Sequence, residues 1–341
     1  MLKNEVGGKV LVLGSRGVGK SSICRTLLNY SVKIGWQTCY VDLDIDNNDI
    51  ACCSAIAAGC FSEYIPYDCN DINKLAYFFP YEYLNSGNIE VYANLVRNLM
   101  EAVDKRMIKD KEDFVRSNTI LGRNLVASGQ KSIYASNSII NTPAYIMDMS
   151  REQIKQFISI VNPYLVLVVD NDNIISTLKE FKDLLVLKIP KNGGVVQYSE
   201  ENQKKNRLLK LERYFFDERF ICSRDIIPLS KLTIYKYVHA GEGMGGNKLD
   251  YMLVKVDPSV DDLNKAIIGV LQLENRGLTN IPDQNKMEYV LKKPLLSIIF
   301  IFEIKEGGEG GKEVVVIRPE YLKNIYIDNI WILSNQKYYR N

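Results

Sequence analysis

Gly14, Gly19, Lys20 and Ser21 stand at the spacing G-x-x-x-x-G-K-S inside "KVLVLGSRGVGKSSICRTLL", Lys9 to Leu28. Glycines at such positions let successive backbone N–H groups turn inward onto phosphate oxygens, a following helix aims its positive end there, the lysine reaches the outer phosphates, and the serine hydroxyl is a ligand for Mg²⁺. The whole run Gly14, Ser15, Arg16, Gly17, Val18, Gly19, Lys20, Ser21 and Ser22 is therefore read as a phosphate cradle. A second constellation follows in "TCYVDLDIDNND", Thr38 to Asp49. Asp44, flanked by Asp42 and Asp46, is placed to orient or deprotonate an acceptor hydroxyl in phosphoryl transfer. Capping of the strand, or a hold on Mg²⁺ through water, is the alternative for Asp42 and Asp44. Lys204, Lys205, Arg207, Lys210 and Arg213 form a third group behind the Gly193-Gly194 pair. On composition a solvated helix face is the more ordinary account of such a run, and a mobile cationic lid the other.

These groups need a scaffold. Val10 to Leu13 is a continuous apolar run, the mark of a strand covered on both faces, and Ile23, Leu27, Leu28 and Val32 continue as one helical face up to Gly35. Thr38 to Asp42 reads as a second strand with its acids at the carboxyl end, where ligands bind in a parallel sheet. Residues 50–87 show no clean period and read as loops with short elements. Asn88 to Lys105 places Tyr92, Leu95, Val96, Leu99 and Val103 on one helical face. Residues 109–131 are polar and read as loop with some helix. "NSIINTPAYI" from Asn137 is a buried strand running into a loop, and Ser150 with Gln153 makes a capping box for a helix that Asn162-Pro163 ends. "YLVLVVD", a helix from Asn173 to Phe181 and "LLVLKIP" extend the alternation. The expectation is α/β: a doubly wound, mostly parallel sheet with a smaller C-terminal β-rich domain. The boundary falls at 220/221, giving domains 1–220 and 221–341 with a lid near 191–215. Short β-type runs such as "KLTIYKYV", "AIIGVLQL" and "LLSIIFIFEI" mark the second part.

Composition excludes several classes. With 46% hydrophobic and 25% charged residues in 341, the chain is globular, and a net charge of +2 leaves any RNA contact to a local patch. Seven cysteines without a C-x-x-C pair, and a single histidine, His239, disfavour zinc and a catalytic triad. Reduced thiols in a cytosolic or nuclear protein are expected. No apolar segment reaches membrane-spanning length, and "MLKNEVGG" lacks the apolar core of a signal peptide, so a soluble intracellular protein is expected. A GTPase would carry D-x-x-G, which is absent, and the N-K-x-D match at Asn247 follows a glycine-rich loop rather than a core strand. Adenine nucleotide is the better reading, with ATP and Mg²⁺ as cofactors.

The motifs together are more specific than the loop alone. G-x-x-x-V-G-K-S-S-x-C-R-x-L-L-N-Y, then Y-V-D-L-D, "INTPAY", "PKNGGVV" and a charged helix ending in "RYFF" resemble the polyribonucleotide 5′-hydroxyl kinase family. More narrowly they resemble its ATP-binding subunit of the pre-mRNA cleavage complex, which in some lineages also acts beside the tRNA splicing endonuclease. The similarity runs from Lys9 to about Phe216, and more weakly beyond.

That resemblance implies a kinase domain between two β domains, of which the N-terminal one is missing here, whether by loss in this lineage or through an incomplete gene model. It implies Asp44 as general base and Tyr145, standing for the family's tryptophan after I-N-T, as a base-stacking RNA contact. The family's loop aspartate is Gly17 here, its Gly-Gln after the base is Asp46-Asn47, and its small clasp hydroxyls are replaced by "PYEYLN". The lid arginines align with Tyr198 and Gln203, with Lys204 and Arg207 close by. The expected function is an ATP-binding structural subunit of nuclear mRNA 3′-end processing, docked on a large cleavage-factor scaffold subunit. The alternative is an active RNA 5′-hydroxyl kinase in which Lys204 or Arg207 serves the lid. A weaker third is an unrelated P-loop ATPase.

Overall fold

The computed structural model describes residues 8–63, 74–120, 134–196, 199–216, 222–239, 251–256, 260–307, 311–322 and 327–338. The first part runs β1 (Lys9–Gly14), α1 (Lys20–Lys33), β2 (Trp36–Asp42), β3 (Ala55–Phe61), β4 (Lys74–Phe78), α2 (Ile89–Ile120), β5 (Tyr134–Asn141), α3 (Arg151–Val161), β6 (Leu165–Val169), α4 (Asp172–Leu178), β7 (Leu185–Ile189) and α5 (Glu200–Phe216). Its seven-stranded sheet has the order β4-β3-β2-β5-β1-β6-β7. The five strands from β2 to β7 in that order are parallel, and β3 and β4 add an antiparallel hairpin beside β2.

Alternation along β1 explains the layering. Leu11 and Leu13 pack into the core shared with α2 and α3, whereas Val12 joins Cys24, Leu28 and Val32 of α1 on the other face. Helices therefore cover both faces, as a doubly wound sheet requires. α3 starts on the Ser150–Gln153 capping box and ends at Asn162 in the left-handed region, as the sequence predicts. Two readings gain detail. The stretch read as loops with short elements, 50–87, has the strands β3 and β4 as those elements; "AIAAGCF" is a strand of small residues, without the bulky alternation that signals one. The helix beginning near Asn88 continues to Ile120 into the stretch 109–131 read as loop with some helix; its core residues among those described run from Val91 to Met107, so no apolar period marks the continuation in the sequence.

The second part runs β8 (Cys222–Pro228), β9 (Ile234–His239), β10 (Tyr251–Lys255), α6 (Val260–Leu263), β11 (Ala266–Glu274), α7 (Asp283–Leu291), β12 (Leu295–Glu306), β13 (Lys312–Pro319) and β14 (Asn329–Lys337). Its sheet, ordered β10-β9-β14-β11-β12-β13-β8, is antiparallel except where β14 meets β9. This is the expected β-rich part, with α7 as an addition the sequence reading did not contain.

The two sheets share a core: Phe78, Phe79 and Tyr92 belong to the same buried cluster as Ile267, Phe300 and Ile332. Gly269 of β11 lies flat against Phe78 of β4, and a Cβ at that position would overlap the ring. Asn98 of α2 donates its side-chain amide to the Leu291 carbonyl at the end of α7, at 2.9 Å. Among the described residues, no helix is long and apolar enough to cross a membrane.

Candidate phosphate-binding site

β1 ends at Gly14 and α1 begins at Lys20, so the loop lies at the carboxyl edge of the sheet, next to the ends of β2 and β5. Gly17 and Gly19 have φ of +69° and +95°, a region L side chains rarely adopt. Gly14 is held for a different reason, since a Cβ there would come within 2.9 Å of Val18 and 3.1 Å of the Val169 side chain. Ser15 and Arg16 are exposed, Val18 and Lys20 are buried, and Ser21 opens the helix half-buried. Val195, just past Gly193-Gly194, lies 3.4 Å from where a Cβ on Gly19 would stand, so the root of the proposed lid approaches the loop.

Lys20 folds back over its own loop. Its ammonium donates to the Gly14 and Ser15 carbonyls, both at 2.9 Å. Burial lowers its pKa, and the nearby Asp44 carboxylate partly opposes that shift. A buried cation on neutral carbonyls, in a loop whose glycines leave room for inward N–H groups, has the donor chemistry of a polyphosphate site. Ser21 supplies the adjacent hydroxyl. The residues present thus fit a nucleoside phosphate, whose outer phosphates Lys20 would neutralise and whose Mg²⁺ the Ser21 hydroxyl would help hold.

The acidic turn after β2 is built around Asp42 rather than Asp44. Asp42 is fully buried and accepts from the backbone N–H groups of Asp44 (3.0 Å) and Asp49 (2.7 Å) and from the Asn141 amide (3.0 Å). Burial, with the charges of Asp49 and Asp44 adding to it, pushes its carboxyl up to about 8. The half-buried Asp44 takes the N–H groups of Asp46 (2.9 Å) and Asn47 (3.3 Å) on one oxygen, which closes the turn.

Asn141, absent from the sequence-based candidates, joins the two constellations. Its amide donates both to Asp42 and to the Ser21 hydroxyl, at 3.2 Å. The available signal was an asparagine closing the apolar run "SII" at the carboxyl end of a core strand.

Four cations surround the turn. Arg25 of α1 forms a two-pronged pair with Asp49 at 3.0 and 2.8 Å. Lys210 of α5 donates to the Asn48 carbonyl at 2.9 Å and lies 3.6 Å from Asp49. Arg207 pairs with Asp46 at 2.7 Å and also reaches the Glu82 carbonyl, Ser54 and, at 2.7 Å, Gln336 of β14. It is 6% exposed, so this side chain of the lid helix points inward. Arg16 sits 3.5 Å from the other oxygen of Asp46. Burial and Asp44 push the Asp46 carboxyl up to about 6, against the pull of Arg207 and Arg16.

The remaining candidates are more scattered. Lys204 is exposed on the first half of α5, while Leu211 and Phe215 anchor its second half in the core. Tyr145 lies half-buried in the one-turn helix Ala144–Asp148 that follows β5, packed on the core. Gln203 is half-buried on α5; Tyr198 and the N-K-x-D match lie outside the described residues.

A P-loop protein, built on a doubly wound sheet with an acidic turn opposite the loop and a helix laid across it, is the class that fold and site define. A family model for the mRNA cleavage and polyadenylation factor CLP1 P-loop matches residues 14–217, and the chain belongs to that family. It is 28% identical over 243 residues to the protein CLP1 homolog of Arabidopsis thaliana, covering 68% of this chain and 48% of that one. With the polyribonucleotide 5′-hydroxyl-kinase Clp1 of Danio rerio it shares 27% identity over 287 residues, covering 80% of this chain and 60% of that one. The chain thus spans about half to three-fifths of these curated relatives. A solved wild-type Clp1p–Pcf11p complex matches the fold with a TM-score of 0.76 at 19% identity, covering all of this chain and 76% of that one. A second, on the Pcf11p–Clp1p interface and ATP loss in a glycine-to-arginine point mutant, has a TM-score of 0.75 at 18% identity, covering 99% and 76%.

Proposed function

We propose that the chain is an ATP-binding subunit of the nuclear pre-mRNA 3′-end cleavage and polyadenylation machinery, holding its nucleotide for structure more than for turnover. The loop 14–22 binds the phosphates, Lys20 neutralises the outer ones, and Ser21 with Asp44 serves Mg²⁺. When bound, Mg²⁺ neutralises phosphate charge. Residues 1–220 form the nucleotide domain with its lid near 191–215, and 221–341 the β-rich domain. A large cleavage-factor scaffold subunit is the expected partner, in line with the Pcf11p complexes among the solved neighbours.

The observation that carries this reading is Arg207. A lid cation contributes to phosphoryl transfer only if it is free to meet the transferring group. Arg207 is instead engaged by Asp46 and Gln336, and Gln203 holds one position where the resemblance places an arginine. Bound nucleotide then stabilises the fold by mass action without turnover.

One observation favours the second reading, an active RNA 5′-hydroxyl kinase. Asp44 is close enough to Lys20 for its charge to act on the ammonium, where a base for the acceptor hydroxyl would work beside the outer phosphate. Lys204, exposed on α5, would serve that lid, and Tyr145 would stack on the RNA. The two readings separate on transfer of labelled γ-phosphate from ATP to a 5′-hydroxyl oligoribonucleotide by protein already shown to bind ATP. Binding without transfer supports the structural subunit; transfer abolished by Asp44→Asn overturns it in favour of the kinase.

A further inference from the structure

Arg16 is the one loop residue whose charge the phosphate reading leaves without a task. It follows Ser15, whose carbonyl holds the Lys20 ammonium at 2.9 Å, so the Arg16 side chain leaves the loop one peptide unit from that cation. The two charges sense one another, since Arg16 adds to the lowering of the Lys20 pKa. Such crowding of cations is unfavourable unless an anion joins them.

Its present anion is a weak one. The Arg16 guanidinium lies 3.5 Å from Asp46, with the side chain 52% exposed, while Arg207 holds the other oxygen of that carboxylate at 2.7 Å from a buried position. Asp46 is thus anchored independently of Arg16. A long, exposed and singly attached pair of this kind contributes little, whereas a charge-assisted contact from a guanidinium to phosphate is among the stronger hydrogen bonds. In competition, phosphate wins.

We propose that Arg16 is a specificity-determining residue for the terminal phosphate: it leaves Asp46 when a nucleoside triphosphate enters and thereby separates triphosphate from diphosphate. The inference rests on reading the loop as a nucleotide site. It places the mobile cation on the loop itself, while Arg207 stays in place as the anchor of the abandoned carboxylate.

Calorimetric titration of the full chain, with Mg²⁺, against ADP and against a triphosphate analogue whose β–γ bridge is nitrogen tests this directly. Arg16→Ala is expected to weaken the analogue about tenfold and ADP less than about twofold. Arg16→Lys should recover part of the loss, since charge is kept while the planar fork is not. Asp46→Asn should tighten the analogue in the wild-type background and leave it unchanged in Arg16→Ala. Equal effects of Arg16→Ala on both nucleotides, or none, overturn the proposal while the nucleotide site stands. A wild-type chain that binds neither ligand overturns the nucleotide reading and this proposal together.

Discussion

Lys20 is an ammonium held out of water by two carbonyl oxygens, an arrangement that an incoming phosphate improves. Lys20→Ala should therefore reduce nucleotide affinity more than tenfold. The stabilisation that excess ATP confers on wild type, about 2.7 kcal/mol at one hundred times Kd, should vanish with it; differential scanning fluorimetry with and without ATP reads both effects. Asp42 gives a pH signature. Its folded carboxyl is raised to about 8, against about 3.9 in an unfolded chain, so between those values the folded state holds a proton the unfolded state has lost. That contribution is complete at low pH and disappears as pH rises through the folded value. Nucleotide-free protein should show a urea midpoint that falls from about pH 5 to about pH 8, with a shallower slope in Asp42→Asn. Lys20 and Ser21 were legible because their motif is local in sequence. Asn141 and the inward turn of Arg207 were not, since each depends on partners 99 or more residues away.

At the scale of elements, α5 is an anchored helix rather than a loose lid. Leu211 and Phe215 bury one face, and Arg207 and Lys210 clamp the turn between β2 and β3. Arg207→Ala would leave Gln336 without its guanidinium donor and the partly exposed Asp46 with only the long Arg16 contact, and loss of a charged hydrogen-bond partner of this kind costs about 1–3 kcal/mol. Equilibrium urea unfolding should show a loss of that order, whereas Lys204→Ala, on the exposed half of the same helix, should change stability by less than about 0.5 kcal/mol. The charged pattern of residues 200–216 allowed a lid or a solvated face. It did not reveal that the second half is anchored in the core and only the first half exposed, because the anchoring residues are spaced among charged ones. The parallel strands β1, β5 and β6 were legible as apolar runs. β3 was hidden by its alanines and glycine, and β4 with it.

At the scale of the molecule, the two sheets are keyed together by Gly269 against Phe78. Gly269→Ala forces the ring aside and should destabilise the fold by about 1–3 kcal/mol. Phe78→Leu in the same chain should relieve part of that loss, and a double-mutant cycle read by thermal unfolding would show non-additivity across the interface. The β-rich half was recognisable from its short strands and turn residues, yet nothing in that pattern said which strand would face the first sheet. The shared core has a consequence for how the protein is made. A ribosome releases residues 8–216 before β11 and β14, so those faces of Phe78 and its cluster partners that meet the second sheet emerge uncovered. At about 5–20 residues/s their shelter is some tens of seconds away. Through that interval the nascent chain carries exposed aromatic surface of the kind that makes half-made chains prone to aggregate, however stable the finished protein is.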